Sequence, residues 1–250
     1  MWSKIRIYSR ILFTAIGMVI TTCALTPPIV LSNLFTSSGL PAYKMMRWWN
    51  AIISWLMGLK FSVYGTENVD PKQSYVICPN HQGNADILAL AVGLPVRFRW
   101  VGKRELIRIP VFGWALAGTG AIVIDRSNRE TAVASLKAAK DKLSNGWSLL
   151  IYPEGTRTPD GNLLPFKKGP FMIAVQTGLP ILPVTSNGAF KILPKKTIVF
   201  RPGRISITIG KPIKTEGMTE KDVPRLMEQT RAAIESNLRP DYDPFKELKS

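Results

Sequence analysis

Residues 78–87, Cys-Pro-Asn-His-Gln-Gly-Asn-Ala-Asp-Ile, contain the only histidine of the 250-residue chain, His81. The preceding residues Tyr75–Cys78 are typical of a short buried strand, and Ala85–Val92 have the composition of a helix. His81 therefore lies where a strand leads into a helix, a position at which α/β proteins place reactive groups. Because only histidine has an ordinary pKa near neutrality, any imidazole acid–base chemistry in this chain must be performed by His81.

The spacing between His81 and Asp86 allows contact only if the helix begins between them. On one continuous helix, five residues would turn the two side chains about 140° apart. Gly83 permits a tight turn and Asn84 is a suitable N-cap, which would place Asp86 in the first helical turn. Its carboxylate could then orient the imidazole. In the alternative interpretation, His81 is a structural residue and Asp86 only favours the helix dipole.

The charge balance points to an anionic partner. The chain has 33 Lys and Arg residues against 17 Asp and Glu residues, a net charge of +16. Nucleic acid, lipid headgroups and a phosphorylated substrate all fit such a balance. Residues 1–66 and 161–215 contain no acidic residue. Two cysteines, Cys23 and Cys78, with a single histidine exclude a structural zinc site and a disulfide framework, which indicates a reducing compartment.

Residues 1–58 are predicted to form a membrane-associated helical segment. Residues 11–35 carry no charge, and basic residues flank both ends of this run. Pro27 and Pro28 interrupt it, and the part before them would form a helix of about 24 Å, shorter than a bilayer core of about 30 Å. Because both basic flanks favour the cytoplasmic side, a helix that enters, turns at the prolines and returns is preferred to a single crossing.

We therefore expect the chain to attach to the cytoplasmic face of the cell (inner) membrane. The tryptophans of Met45–Met57 suit the bilayer interface. A secretory signal and simple packing on the following domain are the alternatives.

Residues 59–250 alternate strands and helices, which predicts an α/β domain with a mostly parallel or mixed central sheet flanked by helices. The predicted strands are Phe61–Tyr64, Tyr75–Cys78, Phe98–Val101, Ala121–Ile124, Ser148–Tyr152, Ile181–Thr185, Thr197–Phe200 and Ile205–Ile209. The predicted helices are Ala85–Val92, Val111–Ala117, Arg129–Leu143, Pro170–Gln176 and Glu220–Asn237.

A second candidate site follows the predicted strand Ser148–Tyr152. In a parallel sheet, the loop after this strand would emerge at the same edge as His81. Arg157 offers a planar set of donors suited to a phosphate, and Gly155 lets the backbone approach closely. Glu154 could hold Arg157 or complete the polar site. The alternative is a surface turn with an ordinary ion pair. Four further basic residues are more commonly explained as part of a solvent-exposed basic face: Lys103, Arg104, Arg108 and Arg126.

Taken together, these residues resemble the glycerolipid acyltransferase family, in particular bacterial 1-acyl-glycerol-3-phosphate acyltransferases. His81 and Asp86 match the H-x4-D motif, and Leu179–Pro183 match the final block containing proline. The K-x2-L-x6-G-x12-R motif is matched by Lys103, Leu106, Gly113 and Arg126, and the E-G-T-R block by Glu154, Gly155, Thr156 and Arg157. The four blocks occur in this order over nearly the whole chain after Gly58, and together they are specific for this family. Between the histidine and the aspartate of the motif, this chain has Gly83, Asn84 and Ala85, where bulkier residues are common in the family.

The resemblance implies transfer of a fatty acyl group from acyl-CoA or acyl carrier protein to the sn-2 hydroxyl of lysophosphatidic acid, giving phosphatidic acid. It implies that His81 is the general base, oriented by Asp86, and that Pro183 belongs to the acyl-donor side. The phosphate-binding residues that it implies are Lys103, Arg126, Glu154, Gly155, Thr156 and Arg157. Because the thioester is already activated, neither a metal nor a cofactor is expected.

Two alternatives differ from this function. Within the enzyme class, the acceptor could be another lyso-lipid, such as lyso-ornithine lipid. In another class, the chain would be a basic lipid- or nucleic-acid-binding protein without catalysis. Nucleic acid is not expected, because the tryptophans cluster in the apolar amino-terminal region instead of among the charges. The expected partners are lysophosphatidic acid, an acyl donor and a phospholipid membrane.

Overall fold

In the computed structural model, which describes residues 2–124, 143 and 146–246, seven strands form one central sheet. These strands are β1 (Leu59–Tyr64), β2 (Val76–Pro79), β3 (Arg97–Lys103), β4 (Ile122–Ile124), β5 (Trp147–Leu150), β6 (Ile181–Asn187) and β7 (Gly203–Ile209). Their order is β1-β7-β6-β2-β5-β3-β4. Within this sheet, β6 and β7 are antiparallel and the other neighbours are parallel, which confirms the predicted mixed α/β sheet.

Helices cover both faces of the sheet. They are α1 (Trp2–Phe35), α2 (Leu40–Met57), α3 (Ala85–Gly93), α4 (Phe112–Gly118), α5 (Gly169–Thr177), α6 (Ala189–Ile192) and α7 (Val223–Glu235). The hydrophobic core has one part on each face of the sheet. Successive residues of β2 contribute to these two parts in turn, because neighbouring side chains of a strand point to opposite faces. Ile77 packs in one apolar cluster with side chains of α2 and α3, whereas Val76 and Cys78 pack in another with α5 and α7.

The structure contradicts one predicted strand, and one predicted helix lies almost entirely outside the described residues. The predicted strand Thr197–Phe200 is wrong, because these residues have no regular structure and Ile198 is 79% exposed. The following strand, β7, already pairs with β1 on one side and β6 on the other, so it offers no free edge. The predicted helix Arg129–Leu143 lies outside the described residues except for Leu143.

The amino-terminal segment is a helical hairpin. Helix α1 continues through Pro27 and Pro28 for 34 residues, about 50 Å, so the predicted turn at the prolines is wrong. The chain turns instead just before α2, at Gly39, whose φ is 68°. Contacts beyond the prolines explain the continuation: the side-chain amide of Asn33 donates to the carbonyl of Gly118 at 2.9 Å, at the end of α4.

The two helices of the hairpin are antiparallel and have different surroundings. Trp49 Nε1 of α2 donates to Thr22 Oγ1 of α1 at 3.0 Å, and the Arg10 guanidinium donates to the carbonyl of Met57 at 3.4 Å. Helix α2 is part of the main core through residues such as Tyr43 and Ile53. Helix α1 is instead a candidate membrane segment, because its residues 5–35 have a mean hydropathy of 1.7 over the most apolar window, of which 17% is buried. The division into units 1–58 and 59–250 stays a prediction.

Candidate active site

The loop between β2 and α3 carries His81 and is fixed to the neighbouring strand β6. The Asn80 side chain bonds the backbone of Ser186 twice: its Nδ2 donates to the carbonyl at 3.0 Å, and its Oδ1 accepts from the amide at 2.7 Å. Strands β2 and β6 are parallel, with Pro79 in register with Val184, so both chains reach the same edge of the sheet. These two hydrogen bonds fix the backbone immediately before His81.

His81 and Asp86 are in contact. Imidazole Nδ1 lies 3.2 Å from Asp86 Oδ2, and the aspartate side chain is fully buried while that of His81 is 12% exposed. Asp86 Oδ2 also accepts the amide of Gly83 at 2.8 Å. Helix α3 begins at Ala85, so Asp86 lies in its first turn and can turn back toward the loop. With Nδ1–H donated to the carboxylate, Nε2 is left as the basic nitrogen.

The second oxygen of Asp86 has its own partner. Ser186 Oγ donates to Asp86 Oδ1 at 2.7 Å, so three donors from two elements hold the buried carboxylate. Hydrogen bonds to both oxygens fix the orientation of a carboxylate. Asp86 is thereby held in the position where it orients the imidazole.

Glu154 supports the backbone of His81. Its Oε1 accepts the amide of His81 at 2.6 Å, and its Oε2 accepts the amide of Leu164 at 2.9 Å. The amide of Thr158 in turn donates to the carbonyl of His81 at 2.9 Å, so the loop after β5 binds both polar backbone groups of the histidine. The carboxylate of Glu154 thus faces backbone amides instead of Arg157, the partner considered from the sequence. Burial raises the pKa of Glu154 to about 7, against the opposing effect of these two donors.

The Tyr152 ring packs against one face of the His81 imidazole. The two rings stack with centroids 3.7 Å apart and an interplanar angle of 14°. The tyrosine hydroxyl is buried and has no hydrogen-bond partner among the described residues. Burial raises the pKa of Tyr152, and the carboxylates of Asp86 and Glu154 raise it further, so the phenol stays neutral.

The loop after β5 carries one cation, Arg157, and is contacted by another, Lys195. The Arg157 guanidinium donates to Asn84 Oδ1 at 2.6 Å. Asn84 precedes α3 as expected, but its side chain makes no capping bond and is used for this contact. Lys195 Nζ donates to Thr156 Oγ1 at 3.0 Å and to the carbonyl of Arg157 at 3.3 Å. Gly155 has a φ of 70°, which favours glycine at this turn.

His81, Tyr152 and the two cations line a cavity of about 540 Å³. Its polar and charged lining residues include His81, Asn84, Thr156, Arg157 and Lys195. The apolar lining comes from the amino-terminal hairpin and the region of α4, with Leu25, Ile29, Met46, Trp49, Leu106, Phe112 and Leu116. No Asp or Glu lines the cavity among the described residues. Such a space suits a ligand that combines an anionic group with a long apolar chain.

The remaining candidates from the sequence are placed as follows. Lys103 ends β3, where its backbone pairs with Ile124, and nothing is described of its side chain. Arg126 lies outside the described residues. Pro183 is buried within β6, in register with Cys78, and is not part of the cavity lining. Burial raises the pKa of the Cys78 thiol, so this cysteine is not a reactive thiolate. The described residues contain no group of metal-ligating side chains.

Ser186 and Lys195 contact the site but were not among the site residues predicted from the sequence. Ser186 could have been found from the parallel pairing, because it follows the Leu179–Pro183 block at the strand edge that carries His81. Lys195 is one of many cations in the acid-free stretch 161–215, and no local pattern distinguishes it.

Comparison with known proteins gives one answer. Residues 60–187 match the Acyltransferase family model. The 1-acyl-sn-glycerol-3-phosphate acyltransferase alpha of Homo sapiens is 34% identical over 192 residues, which are 76% of this chain and 68% of that protein. The 1-acyl-sn-glycerol-3-phosphate acyltransferase of Saccharomyces cerevisiae is 32% identical over 213 residues, 84% and 70% of the two chains.

The fold agrees with this result. The crystal structure of PlsC, the 1-acyl-sn-glycerophosphate (LPA) acyltransferase from Thermotoga maritima, matches with a TM-score of 0.79 and 26% sequence identity, covering 96% of this chain and 99% of that chain. The family resemblance is therefore confirmed, and the chain belongs to the acyltransferase family, together with the 1-acyl-sn-glycerol-3-phosphate acyltransferases.

Proposed function

We propose that the protein transfers a fatty acyl group from an acyl thioester to the sn-2 hydroxyl of 1-acyl-glycerol-3-phosphate and so forms phosphatidic acid. The observation that carries this proposal is the contact of His81 with the buried carboxylate of Asp86 beside a cavity that also holds Arg157. The relatives named for this activity support the choice of acceptor.

His81 acts as the general base. Its Nε2 takes the proton of the acceptor hydroxyl while the oxygen attacks the thioester carbonyl and forms the new C–O bond. The tetrahedral intermediate then collapses, the C–S bond breaks, and the imidazolium returns the proton to the leaving thiolate. Asp86 stabilises the imidazolium and keeps the Nδ1–H tautomer. Such a positioned base typically contributes about 10²–10⁴-fold to the rate.

Arg157 binds the acceptor phosphate. Arg157 as a residue is half-buried, and the hydrogen bond from its guanidinium to Asn84 orients the planar set of donors before a ligand arrives. Oriented donors bind phosphate in bidentate geometry at a lower entropic cost than mobile ones. Lys103 and Arg126 complete this site in the proposal, with Gly155 and Thr156 shaping its backbone. Glu154 contributes indirectly, because its carboxylate holds the His81 amide.

The apolar cavity wall accommodates acyl chains. Because both substrates carry such chains, we infer that the hairpin α1–α2 associates with the cytoplasmic face of the phospholipid membrane. The outer surface of α1 carries exposed apolar side chains, including Leu12, Phe13, Val19 and Ile20. Acyl-CoA and acyl carrier protein both supply the required thioester, and the proposal needs no cofactor. Pro183, which is buried in β6, acts on the donor side only through the sheet.

A panel of acceptors tests this function. Purified protein in detergent is assayed with acyl-CoA or acyl carrier protein as donor and with lysophosphatidic acid, lyso-ornithine lipid or another lysophospholipid as acceptor. We expect the highest kcat/KM with lysophosphatidic acid and loss of turnover in His81→Ala, while vesicle binding of the variant persists. A preference for an acceptor without a phosphate, or full activity of His81→Ala, contradicts the proposal.

A further inference from the structure

Lys195 brings a cation to the site from a part of the chain that no motif covers. It follows α6 and lies beyond residues 60–187, the region that matches the family model. Its ammonium donates to Thr156 Oγ1 at 3.0 Å and to the carbonyl of Arg157 at 3.3 Å, and the side chain lines the same cavity as His81. A lysine that had seemed one of many surface cations is therefore part of the active-site wall.

Among the described residues, no acidic side chain is paired with either cation of this region. Lys195 is half-buried, and both of its partners are neutral oxygens. Neither Lys195 nor Arg157 forms an ion pair with any acidic residue that the structure describes. Both side chains line the same cavity, and no Asp or Glu among the described residues lines it. An anionic ligand in this cavity would be attracted by both cations.

We propose that Lys195 binds the phosphate of the acceptor together with Arg157 and thereby sets the preference for a phosphorylated acceptor. This inference rests on the proposed function. A phosphate monoester carries a charge between about −1.5 and −2 at neutral pH, which two cations match better than one. The ammonium has three N–H donors, of which two are used by the protein, so one remains for a ligand.

A purely structural role for Lys195 makes a different prediction. Lys195 contacts the loop that holds both backbone groups of His81 through Glu154 and Thr158. If Lys195 only fixed this loop, its removal would disturb the base and slow the reaction with every acceptor. A phosphate ligand instead affects only acceptors that carry a phosphate.

The experiment compares Lys195→Gln with the matched control Lys196→Gln. Lys196 is the exposed neighbour, which does not line the cavity, so both variants lose one charge from the same segment. Turnover is measured in mixed micelles with lysophosphatidic acid and with monoacylglycerol of the same chain, which lacks the phosphate. For Lys195→Gln we expect KM for lysophosphatidic acid to rise about 10–100-fold. Its kcat/KM for monoacylglycerol and its KM for acyl-CoA should change less than about twofold, and Lys196→Gln should resemble the wild type in all three.

One further variant keeps the test decisive if monoacylglycerol turnover is too slow to measure. Lys195→Arg retains the charge and should recover most of the affinity for lysophosphatidic acid.

Four results overturn the inference: equal losses with both acceptors, a rise only in the KM for acyl-CoA, an equal effect of Lys196→Gln, or a loss in Lys195→Arg as large as that in Lys195→Gln. Failure of the proposed function looks different, because the wild type itself would not acylate lysophosphatidic acid. If the wild type acylates lysophosphatidic acid and Lys195→Gln has the same KM for it, the proposed role of Lys195 is wrong and the proposed function stands.

Discussion

Ser186 Oγ donates a 2.7 Å hydrogen bond to Oδ1 of Asp86, the carboxylate oxygen that His81 does not contact. The two residues are a hundred positions apart and meet because β6 and β2 are parallel neighbours. The orientation of the imidazole therefore depends on a strand that carries no part of the H-x4-D motif. This contact leads to the first prediction.

Ser186→Ala should lower kcat about tenfold with little change in the acceptor KM. The variant removes one of the donors that hold the carboxylate, and a hydrogen bond to a charged group contributes about 1.5–3 kcal/mol. Steady-state kinetics provide the measurement. The control is Ser54→Ala, which removes another buried serine hydroxyl, bonded to the Asn50 carbonyl at 2.6 Å within α2. Equal kcat losses in both variants would assign the effect to general destabilisation.

Asp86→Asn should reduce kcat by about 10²–10⁴-fold, because the amide cannot stabilise the imidazolium and favours the wrong tautomer. His81→Ala should be at least as severe. Since the two residues act as a unit, the double variant should lose no more activity than His81→Ala alone. Additive losses, measured as kcat of the single and double variants, would show that the two side chains act independently.

Tyr152→Phe should retain activity within about threefold, because the ring that stacks on His81 is kept. Its thermal stability should be equal or higher, because the lost hydroxyl is buried with no partner among the described residues, and such a group costs about 1–3 kcal/mol. Tyr152→Leu removes the aromatic face and should lower kcat more strongly than Tyr152→Phe. A loss of tenfold or more in Tyr152→Phe would instead assign the hydroxyl a direct part in the chemistry.

The pKa of Glu154 makes the stability of the fold depend on pH. The ordinary value is 4.5 and the value in the fold is about 7, so between these limits the folded state binds more protons than the unfolded state. The contribution of Glu154 to the free energy of unfolding is therefore fully present below pH 4.5 and is lost as the pH rises through about 7, by up to about 3 kcal/mol.

We expect the free energy of unfolding of the wild type to fall relative to that of Glu154→Gln between pH 5 and pH 8. Unfolding in detergent at several pH values measures this difference. The exposed Glu235, replaced in Glu235→Gln, is the control and should show no such trend. A difference between wild type and Glu154→Gln that stays constant with pH would contradict the assignment.

Acidic substitutions on the exposed face of α1 should weaken membrane binding. Leu12 and Ile16 are separated by one helical turn and are exposed. Burial of each side chain in lipid is expected to contribute about 1.5–3 kcal/mol, so Leu12→Asp with Ile16→Asp should reduce vesicle binding at least tenfold. Tyr64→Asp, at an exposed aromatic residue that ends β1, is the control and should bind like the wild type. Sedimentation with phospholipid vesicles makes the comparison.

Local signals predicted much of this fold, and long-range contacts account for what they missed. The strand before His81 and the start of α3 after Asn84 followed from turn chemistry and composition, and so did the meeting of His81 with Asp86. Thr197–Phe200 have strand-forming residues, but β7 had no unpaired edge for them. Pro27 and Pro28 predicted a turn, but packing of the later part of α1 on α4 kept the helix continuous.

The same distinction applies to the site. The H-x4-D and E-G-T-R residues are close together in the chain, so a sequence motif can identify them. The contacts of Ser186 and Lys195 join segments that are far apart, and only the order of the strands and the path of the chain after α6 bring them to the site. The partners of Glu154 are likewise backbone amides, those of His81 and Leu164, which no side-chain pattern encodes.

Because Leu25 and Ile29 of α1 and Met46 and Trp49 of α2 line the cavity, the candidate membrane segment α1 and its neighbour α2 also form part of the wall of the proposed active site. Deleting the hairpin to obtain a more soluble protein would therefore expose this cavity to water, in addition to removing the proposed contact with lipid. A variant designed without the hairpin would need a replacement for this apolar wall.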